Sequence, residues 1–205
     1  MKITLSDAGK RFNRDWIFRH FTYSFESGKS YAITGPNGSG KSTLLQVLSG
    51  GMHMNEGNIQ YSILDVPHSV DTIYRHVSIC APYLELVEEM TLREFLEFHQ
   101  GFKPLLHGIT IDSIVNTLGL EKSVDKQIRY YSSGMKQRVK LAQCIFSNTA
   151  IVLLDEPCTN LDAAGIELYQ ALIREYCSDR LVIVSSNDKV EYSFCDEIVN
   201  ITDYK

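Results

Sequence analysis

The sequence lacks the cysteine pairs that disulfide frameworks and zinc sites require. Its 205 residues include five cysteines, and no two of them form a CxxC pair. Thiols scattered in this way are typical of reduced cytosolic proteins. The cysteines are Cys80, Cys144, Cys158, Cys177 and Cys195.

Long apolar runs and an excess of positive charge are also missing. No run approaches the roughly 20 apolar residues that a membrane-spanning helix needs, and the N-terminal segment MKITLSDAGKRF resembles neither a signal peptide nor a lipidation motif. We therefore expect any role at a membrane to depend on a partner chain. The net charge of −5 gives no indication of a nucleic-acid partner. The hydrophobic fraction of 44% is sufficient for a packed core, and the length predicts a single domain over 1–205.

A glycine-rich segment, GPNGSGKST, fits the phosphate-loop pattern of Gly, four residues and then Gly-Lys-Ser. The apolar run before it predicts a strand, and the run after it predicts a helix, which is the context that the motif needs. Backbone N–H groups of such a loop and the positive end of the helix can hold a polyphosphate. Lys41 is expected between the outer phosphates, and the Ser42 hydroxyl is expected to ligate Mg²⁺. The predicted phosphate-binding residues are Gly35, Pro36, Asn37, Gly38, Ser39, Gly40, Lys41, Ser42 and Thr43.

Strands and helices alternate along the rest of the chain. Residues 2–34 predict short strands, and residues 83 to about 135 predict a helical insert that contains a capping box at Thr91 and Glu94. The predicted fold class is α/β, with a P-loop NTPase core, a mostly parallel sheet, an N-terminal antiparallel β subdomain and a helical subdomain insert. Other predicted strands cover 57–64, 77–81, 151–155, 181–185 and 198–201, and the predicted helices cover 42–48, 91–100, 111–118, 133–147 and 163–177.

The segment IVLLDEP places two acidic residues at the end of a predicted buried strand. Asp155 would reach the sheet edge beside the phosphate loop, where it can hold the Mg²⁺ that Ser42 also ligates. Glu156 would polarise the water that attacks the terminal phosphate. These two residues predict hydrolysis of a nucleoside triphosphate.

With these motifs in place, the chain resembles the ATP-binding subunit of an ABC transporter over nearly its whole length. YSSGMKQR, before the IVLLDEP strand, is similar to the signature of that family, and TNLD, which ends at Asp162, is similar to its D-loop. Phe12 lies where the family stacks an aromatic ring on adenine, and Trp16 is an alternative platform.

The resemblance implies that ATP is sandwiched between two chains placed head to tail. Ser132 and the backbone N–H of Gly134 would contact the terminal phosphate held by the other chain, with Ser133 and Met135 completing the signature. The implied ligands are ATP and Mg²⁺. The implied partners are a second ATP-binding subunit, expected to be another copy of this chain in a homodimer, and a separate transmembrane permease subunit. The permease subunit would hold the chain at the cytoplasmic face of the membrane.

Three departures from the family pattern bear on the rate of hydrolysis. Ser133 replaces a glycine and Met135 a glutamine in the signature, which is a mild change. Pro82 falls where the family has its Q-loop glutamine, and Glu85 or Glu88 are candidate substitutes. Asn187 replaces a histidine that touches the terminal phosphate, and asparagine can donate a hydrogen bond but cannot carry a proton.

We therefore expect an exporter-like transport ATPase whose turnover is slow but real, with Glu156 and Asn187 as its catalytic residues. A second interpretation is an ABC ATPase without a transport role, acting on ribosomes or DNA. A third is a nucleotide-gated subunit with little turnover, which Pro82 and Asn187 motivate.

Overall fold

Two β-sheets carry the fold in a computed structural model that describes residues 1–205. One sheet is antiparallel with the strand order β2-β1-β4-β5, and the other is parallel with the order β6-β7-β8-β3-β9. The strands are β1 Lys2–Phe12, β2 Asp15–Glu26, β3 Ser30–Thr34, β4 Glu56–Ile63, β5 Val66–His68, β6 Val77–Cys80, β7 Ile151–Asp155, β8 Leu181–Ser185 and β9 Glu197–Asn200.

Six α-helices accompany these sheets, and three of them lie between β6 and β7 in the chain. None of the helices is both long and apolar enough to cross a bilayer. They are α1 Lys41–Leu48, α2 Leu92–Gln100, α3 Ile111–Leu118, α4 Ser133–Ile145, α5 Ala163–Tyr176 and α6 Lys189–Tyr192.

The parallel sheet separates two buried apolar clusters. Because successive side chains of a strand point to opposite faces, each central strand contributes to both clusters. In β7, Val152 and Leu154 pack with the helices α2 to α5, whereas Ile151 and Leu153 pack with α1 and the antiparallel sheet. This burial on both faces explains why β7 and β8 are continuous apolar runs.

Helix ends follow the local sequence signals. The capping box predicted at Thr91 and Glu94 is confirmed: the Thr91 N–H donates to Glu94 Oε2 at 2.8 Å, and the Glu94 N–H donates to Thr91 Oγ1 at 3.3 Å. Helix α3 ends at Gly119, whose φ of 67° favours glycine. The predicted bounds of helices α1 to α5 are thus correct to within two residues, whereas β1 and β2 are much longer than the short strands that the sequence predicts.

Some elements differ from the sequence predictions. The short strand β5, the short helix α6 and four 3₁₀ turns were not predicted, and Ile201, predicted as strand, begins a 3₁₀ turn. Strand β4 joins the antiparallel sheet through β1, although it follows the phosphate loop in the chain.

Candidate functional site

The topology brings the chemically important segments to the carboxyl ends of the parallel strands. The phosphate loop follows β3, the acidic pair ends β7, and Asn187 follows β8. Since β8 pairs with both β3 and β7, the three segments meet at one edge of the sheet. This is where open α/β sheets bind their ligands.

A cavity of about 230 Å³ lies at this edge. Its volume suits the phosphates of a nucleotide and not the whole molecule, because pockets that enclose a complete ligand measure about 300–1,000 Å³. The adenosine would therefore lie outside it. The lining residues are Ile17, Asn37, Gly38, Gly40, Lys41, Ser42, Thr43 and Glu156.

The phosphate loop is closely packed around Lys41. This side chain is 5% exposed, and its Nζ donates to the carbonyls of Gly35 at 2.8 Å and Pro36 at 3.4 Å. Gly40 has φ 106°, and a Cβ there would lie 2.2 Å from Cγ2 of Ile17, so only glycine fits. The ammonium group thus lies inside the loop that the sequence predicts to hold phosphates.

Three buried polar atoms at this edge have no hydrogen-bond partner within the protein: Ser39 Oγ, Asp155 Oδ1 and Ser185 Oγ. Asp155 is 2% exposed and lies directly opposite Ser185 in the β7–β8 register. A buried carboxylate oxygen is costly unless a cation or donor satisfies it. The residues present therefore fit a divalent cation at Asp155.

Asn187 contacts the phosphate loop directly. Its Oδ1 accepts from the Gly35 N–H at 3.2 Å, and its Nδ2 donates to Asn37 Oδ1 at 3.2 Å. The amide thus lies within reach of the segment that would surround a terminal phosphate. The structure brings together Asn187, Glu156 and the loop as the sequence predicts.

The signature residues line a different cavity, of about 470 Å³, and share no lining residue with the phosphate-loop cavity. Ser132 caps α4, since its Oγ accepts from the Met135 N–H at 3.2 Å. Gly134 lies against the D-loop: a Cβ there would be 3.0 Å from the carbonyl oxygen of Asn160. One chain therefore does not bring its own signature to its own phosphate loop.

Asp162 lines this second cavity and is the N-cap of helix α5. Its Oδ1 accepts from the Gly165 N–H at 2.8 Å and lies 3.3 Å from the Arg138 guanidinium. The Gly165 N–H, and then the nearby charge of Arg138, hold the pKa of Asp162 below its usual value. The D-loop carboxylate is thus fixed to the signature helix.

The aromatic candidates for adenine have different surroundings. Phe12 is 47% exposed at the end of β1, with Lys10 Nζ 5.1 Å from its ring centroid. The Trp16 ring lies against two guanidinium groups, those of Arg19 at 4.5 Å and Arg11 at 5.4 Å. The exposed ring of Phe12 is the one with a face available for stacking.

Pro82 is followed by a residue that the sequence reasoning missed. Tyr83 is 45% exposed and has its hydroxyl close to Gln46 on α1, and the burial of its remaining surface raises its pKa. Of the predicted substitutes, Glu88 pairs with Lys136 Nζ at 2.5 Å, and Glu85 is exposed. Gln137 and Glu191, both buried, were also missed, because no pattern in one sequence separates them from ordinary helix residues.

The largest cavity, about 740 Å³, lies elsewhere, against β4 and the loop after α1. Lys2, Glu56 and His53 are among its lining residues, and none of the phosphate-binding motifs reaches it. The smaller cavity, which is lined by the phosphate loop with its Lys41 ammonium group and by the Glu156 carboxylate, is the one that has the chemistry of a reaction.

Fold and site together define a phosphate-loop nucleoside triphosphatase of the α/β class. The sequence model described as "ABC transporter" matches residues 18–159, more than half of the chain. The chain belongs to this family, and its relatives include ATP-binding proteins of ABC transporters.

Two curated relatives come from Bacillus subtilis, both named as uncharacterized ABC transporter ATP-binding proteins. YhcH is 28% identical over 96% of this chain and 65% of its own length, and YybJ is 29% identical over 95% and 89%. AraG of Pectobacterium atrosepticum, an arabinose import ATP-binding protein, is 31% identical over 94% of this chain. The chain spans 39% of the length of AraG.

Solved structures share the fold. An ABC transporter ATP-binding protein from Pyrococcus furiosus superposes with a TM-score of 0.84 at 23% identity, covering 100% of both chains. A bacterial Atm1-family ABC exporter with ATP bound gives 0.81 at 21% identity, over 98% of this chain and 37% of the exporter chain. The predicted ABC-type cassette fold is therefore confirmed.

Proposed function

We propose that this chain binds and hydrolyses ATP in order to drive transport through a separate transmembrane subunit. The observation that carries the proposal is that Lys41, Ser42 and Glu156 line one cavity. Asp155, whose buried Oδ1 has no hydrogen-bond partner, lies at the same sheet edge. Family membership supports ATP as the nucleotide.

The proposal gives a defined role to the phosphate loop, Phe12, Glu156 and Asn187. Loop N–H groups and Lys41 bind the phosphates, and Phe12 stacks on the adenine. Glu156 accepts a proton from the attacking water, and Asn187 orients that water or the terminal phosphate through its amide. No group in the chain has to form a covalent bond to phosphorus.

Mg²⁺ is the cation that this donor set favours. Asp155 and Ser42 supply hard oxygen ligands, and Mg²⁺ typically takes one or two carboxylates together with water and substrate phosphates. When bound, it would neutralise charge on the phosphate oxygens. Asp155 would thereby gain the partner that its buried oxygen lacks.

Two chains arranged head to tail would complete each site. The separation of the signature cavity from the phosphate-loop cavity supports this proposal, because Ser132, Ser133, Gly134 and Met135 then face the phosphates of the partner. The N-terminus of α4 is suited to this contact since its unpaired N–H groups favour anions. A solved cassette described as dimeric, MJ0796, has the same fold, with a TM-score of 0.81.

The transmembrane partner would dock on the helical side of the domain, which the proposal places at about 83–135. The loop after β6 exposes three large apolar side chains there, those of Tyr83, Leu84 and Val87. Such a patch is typical of a protein contact. In this assembly the chain would lie at the cytoplasmic face of the membrane.

The direction of transport is proposed to be outward on the basis of the SSGMKQR signature. The named relatives include both an importer and an exporter. Co-purification of the chain with membranes tests the transport role. Recovery with ribosomes or nucleic acid instead would favour the second interpretation, a non-transport ATPase.

Lys41→Ala is expected to weaken ATP binding by at least about tenfold, because a hydrogen bond to a charged group contributes about 1.5–3 kcal/mol. ATP turnover by the purified chain should fall with it. Titration of a fluorescent ATP analogue and phosphate release measure the two effects. Lys122→Ala, an exposed lysine, is the matched control, and equal binding by both variants would contradict the proposed site.

Asn187→His is expected to raise turnover by up to about tenfold, since one preorganised donor contributes on the order of a hundredfold and asparagine supplies only part of this. Asn187→Ala should lower turnover, because the contact with the loop is lost. Phosphate release at saturating ATP measures both. Equal rates in all three proteins would show that the side chain at 187 does not limit hydrolysis and would remove the argument for a slow enzyme.

A further inference from the structure

The backbone of Glu156 is held in an unusual conformation. Its φ is 44°, in the left-handed region that a residue with a side chain rarely adopts. Such a conformation persists only where the surrounding structure fixes it, and it is concentrated at functional sites. The proposed general base is therefore oriented by contacts outside the phosphate loop.

One of these contacts comes from the signature helix. Gln137 Nε2 donates to the carbonyl oxygen of Pro157 at 2.6 Å, directly after Glu156. The Gln137 side chain is 4% exposed, and its other neighbour is Cys80 Sγ at 3.8 Å. The amide therefore has one strong acceptor, and that acceptor belongs to the strained segment.

Two further hydrogen bonds fix the same segment from the other side. The Glu156 N–H donates to the carbonyl of Ser185 at 2.9 Å. The Cys158 N–H donates to Glu191 Oε1 at 2.7 Å. Burial raises the pKa of Glu191. Strand β8 and helix α6 thus hold the segment in place, and α4 adds the third support.

The position of Gln137 on α4 connects the signature to the segment that contains Glu156. Helix α4 begins at Ser133, in the signature, and Gln137 lies one turn further on, facing the interior. The N-terminus of this helix lines the signature cavity, which is separate from the cavity that contains Glu156. A displacement of α4 would consequently move the donor that holds the carbonyl of Pro157, the residue directly after the proposed base.

We propose that Gln137 is a positioning residue for Glu156, through which the signature helix sets the backbone of the general base in its own chain. A nucleotide that the partner chain holds against this helix then affects Glu156 of the chain that contains the helix. That Glu156 belongs to the other of the two nucleotide sites. The inference rests on the proposed ATPase function, in which Glu156 is the base. Gln137 touches neither nucleotide nor water.

Gln137→Met tests the role by removing the donor while keeping the length of the side chain. We expect kcat to fall about tenfold or more, because a small misplacement of a catalytic group costs up to a hundredfold, while ATP affinity stays unchanged. Gln143→Met, on the same helix and also losing an amide hydrogen bond, is the matched control and should keep its kcat. A loss of ATP affinity together with kcat, or equal effects in both variants, would overturn the proposal.

Gln137→Glu supplies a readout that a purely structural role would not move. The introduced carboxyl can donate to Pro157 only when it is protonated, and burial raises the pKa of such a group. The ratio of its kcat to that of the wild type should therefore rise as pH falls from about 9 to about 6. The facing thiol of Cys80 stays neutral, because burial raises its pKa well above its usual value. A ratio that does not change with pH would contradict the role.

A measurement of structure separates this inference from the proposed function. In a crystal structure of Gln137→Met, Glu156 is expected to leave the left-handed region. An unchanged φ overturns the positioning role even if the wild type hydrolyses ATP. Absence of wild-type turnover together with a changed φ contradicts the proposed function and leaves the positioning role supported.

Discussion

Replacement of Glu156 by glutamine is expected to lower ATP turnover by about a hundredfold or more while ATP still binds. A positioned general base contributes about 10²–10⁴-fold to such a reaction, and the amide cannot accept the proton of the attacking water. Glutamine has the same size, and the hydrogen bond that fixes residue 156 involves its backbone N–H. Phosphate release under saturating ATP measures the loss, and equilibrium binding of labelled ATP checks that the site is intact.

Glu167→Gln provides the comparison for this substitution, because Glu167 is an exposed residue of α5. It should hydrolyse ATP at the wild-type rate. Unchanged turnover in Glu156→Gln would show that Glu156 is not the base. If Glu156→Gln instead bound ATP weakly, Glu156 would belong among the residues that hold the nucleotide.

Arg180→Met is expected to reduce the free energy of unfolding by about 3 kcal/mol or more. Arg180 is 8% exposed and has no acidic partner; it donates to the carbonyls of Thr149, Ile145 and Ser147 at 2.6–3.0 Å. Each buried carbonyl left without a donor costs about 1–3 kcal/mol, and domains are stable by only about 5–15 kcal/mol. Urea unfolding followed by circular dichroism measures the change.

Arg174→Met is the matched control for this prediction, since Arg174 is an exposed arginine on α5. It should shift the unfolding midpoint very little. If both variants unfold at the same urea concentration as the wild type, water must replace the lost donors and the buried guanidinium has no net stabilising role.

The phosphate loop and the strand ending in Asp155 could be predicted because local chemistry determines them. A loop with positive φ at Gly35, Gly38 and Gly40 requires glycine, and a strand buried on both faces requires an uninterrupted apolar run. These constraints leave a pattern that can be read in one sequence. The same reasoning gave the ends of α2 and α3, where caps are local.

Other features depend on contacts between distant segments. Arg180 donates to carbonyls about thirty residues earlier in the chain. Gln137, on α4, donates to the carbonyl of Pro157, which follows β7. Neither residue differs in the sequence from an ordinary surface arginine or glutamine. Strand β5 was missed because it has only three residues and contains a proline, which is uncommon within a sheet.

The contacts of Arg180 have a mechanical consequence for α4. They attach the last residue of this helix, Ile145, and the segment after it, at Ser147, to the start of β8, whereas the N-terminal end of the helix lines an open cavity. Since only side chains, those of Gln137 and Arg138, connect the N-terminal half of α4 to the segment after β7, we expect the helix to move mainly by tilting about its C-terminal end. Over the 13 residues of α4, at 1.5 Å per residue, a tilt of about 10° displaces the N-terminal end by about 3 Å. That distance matches the length of one hydrogen bond, so a slight rotation would suffice to make or break the proposed contact between this helix and a phosphate.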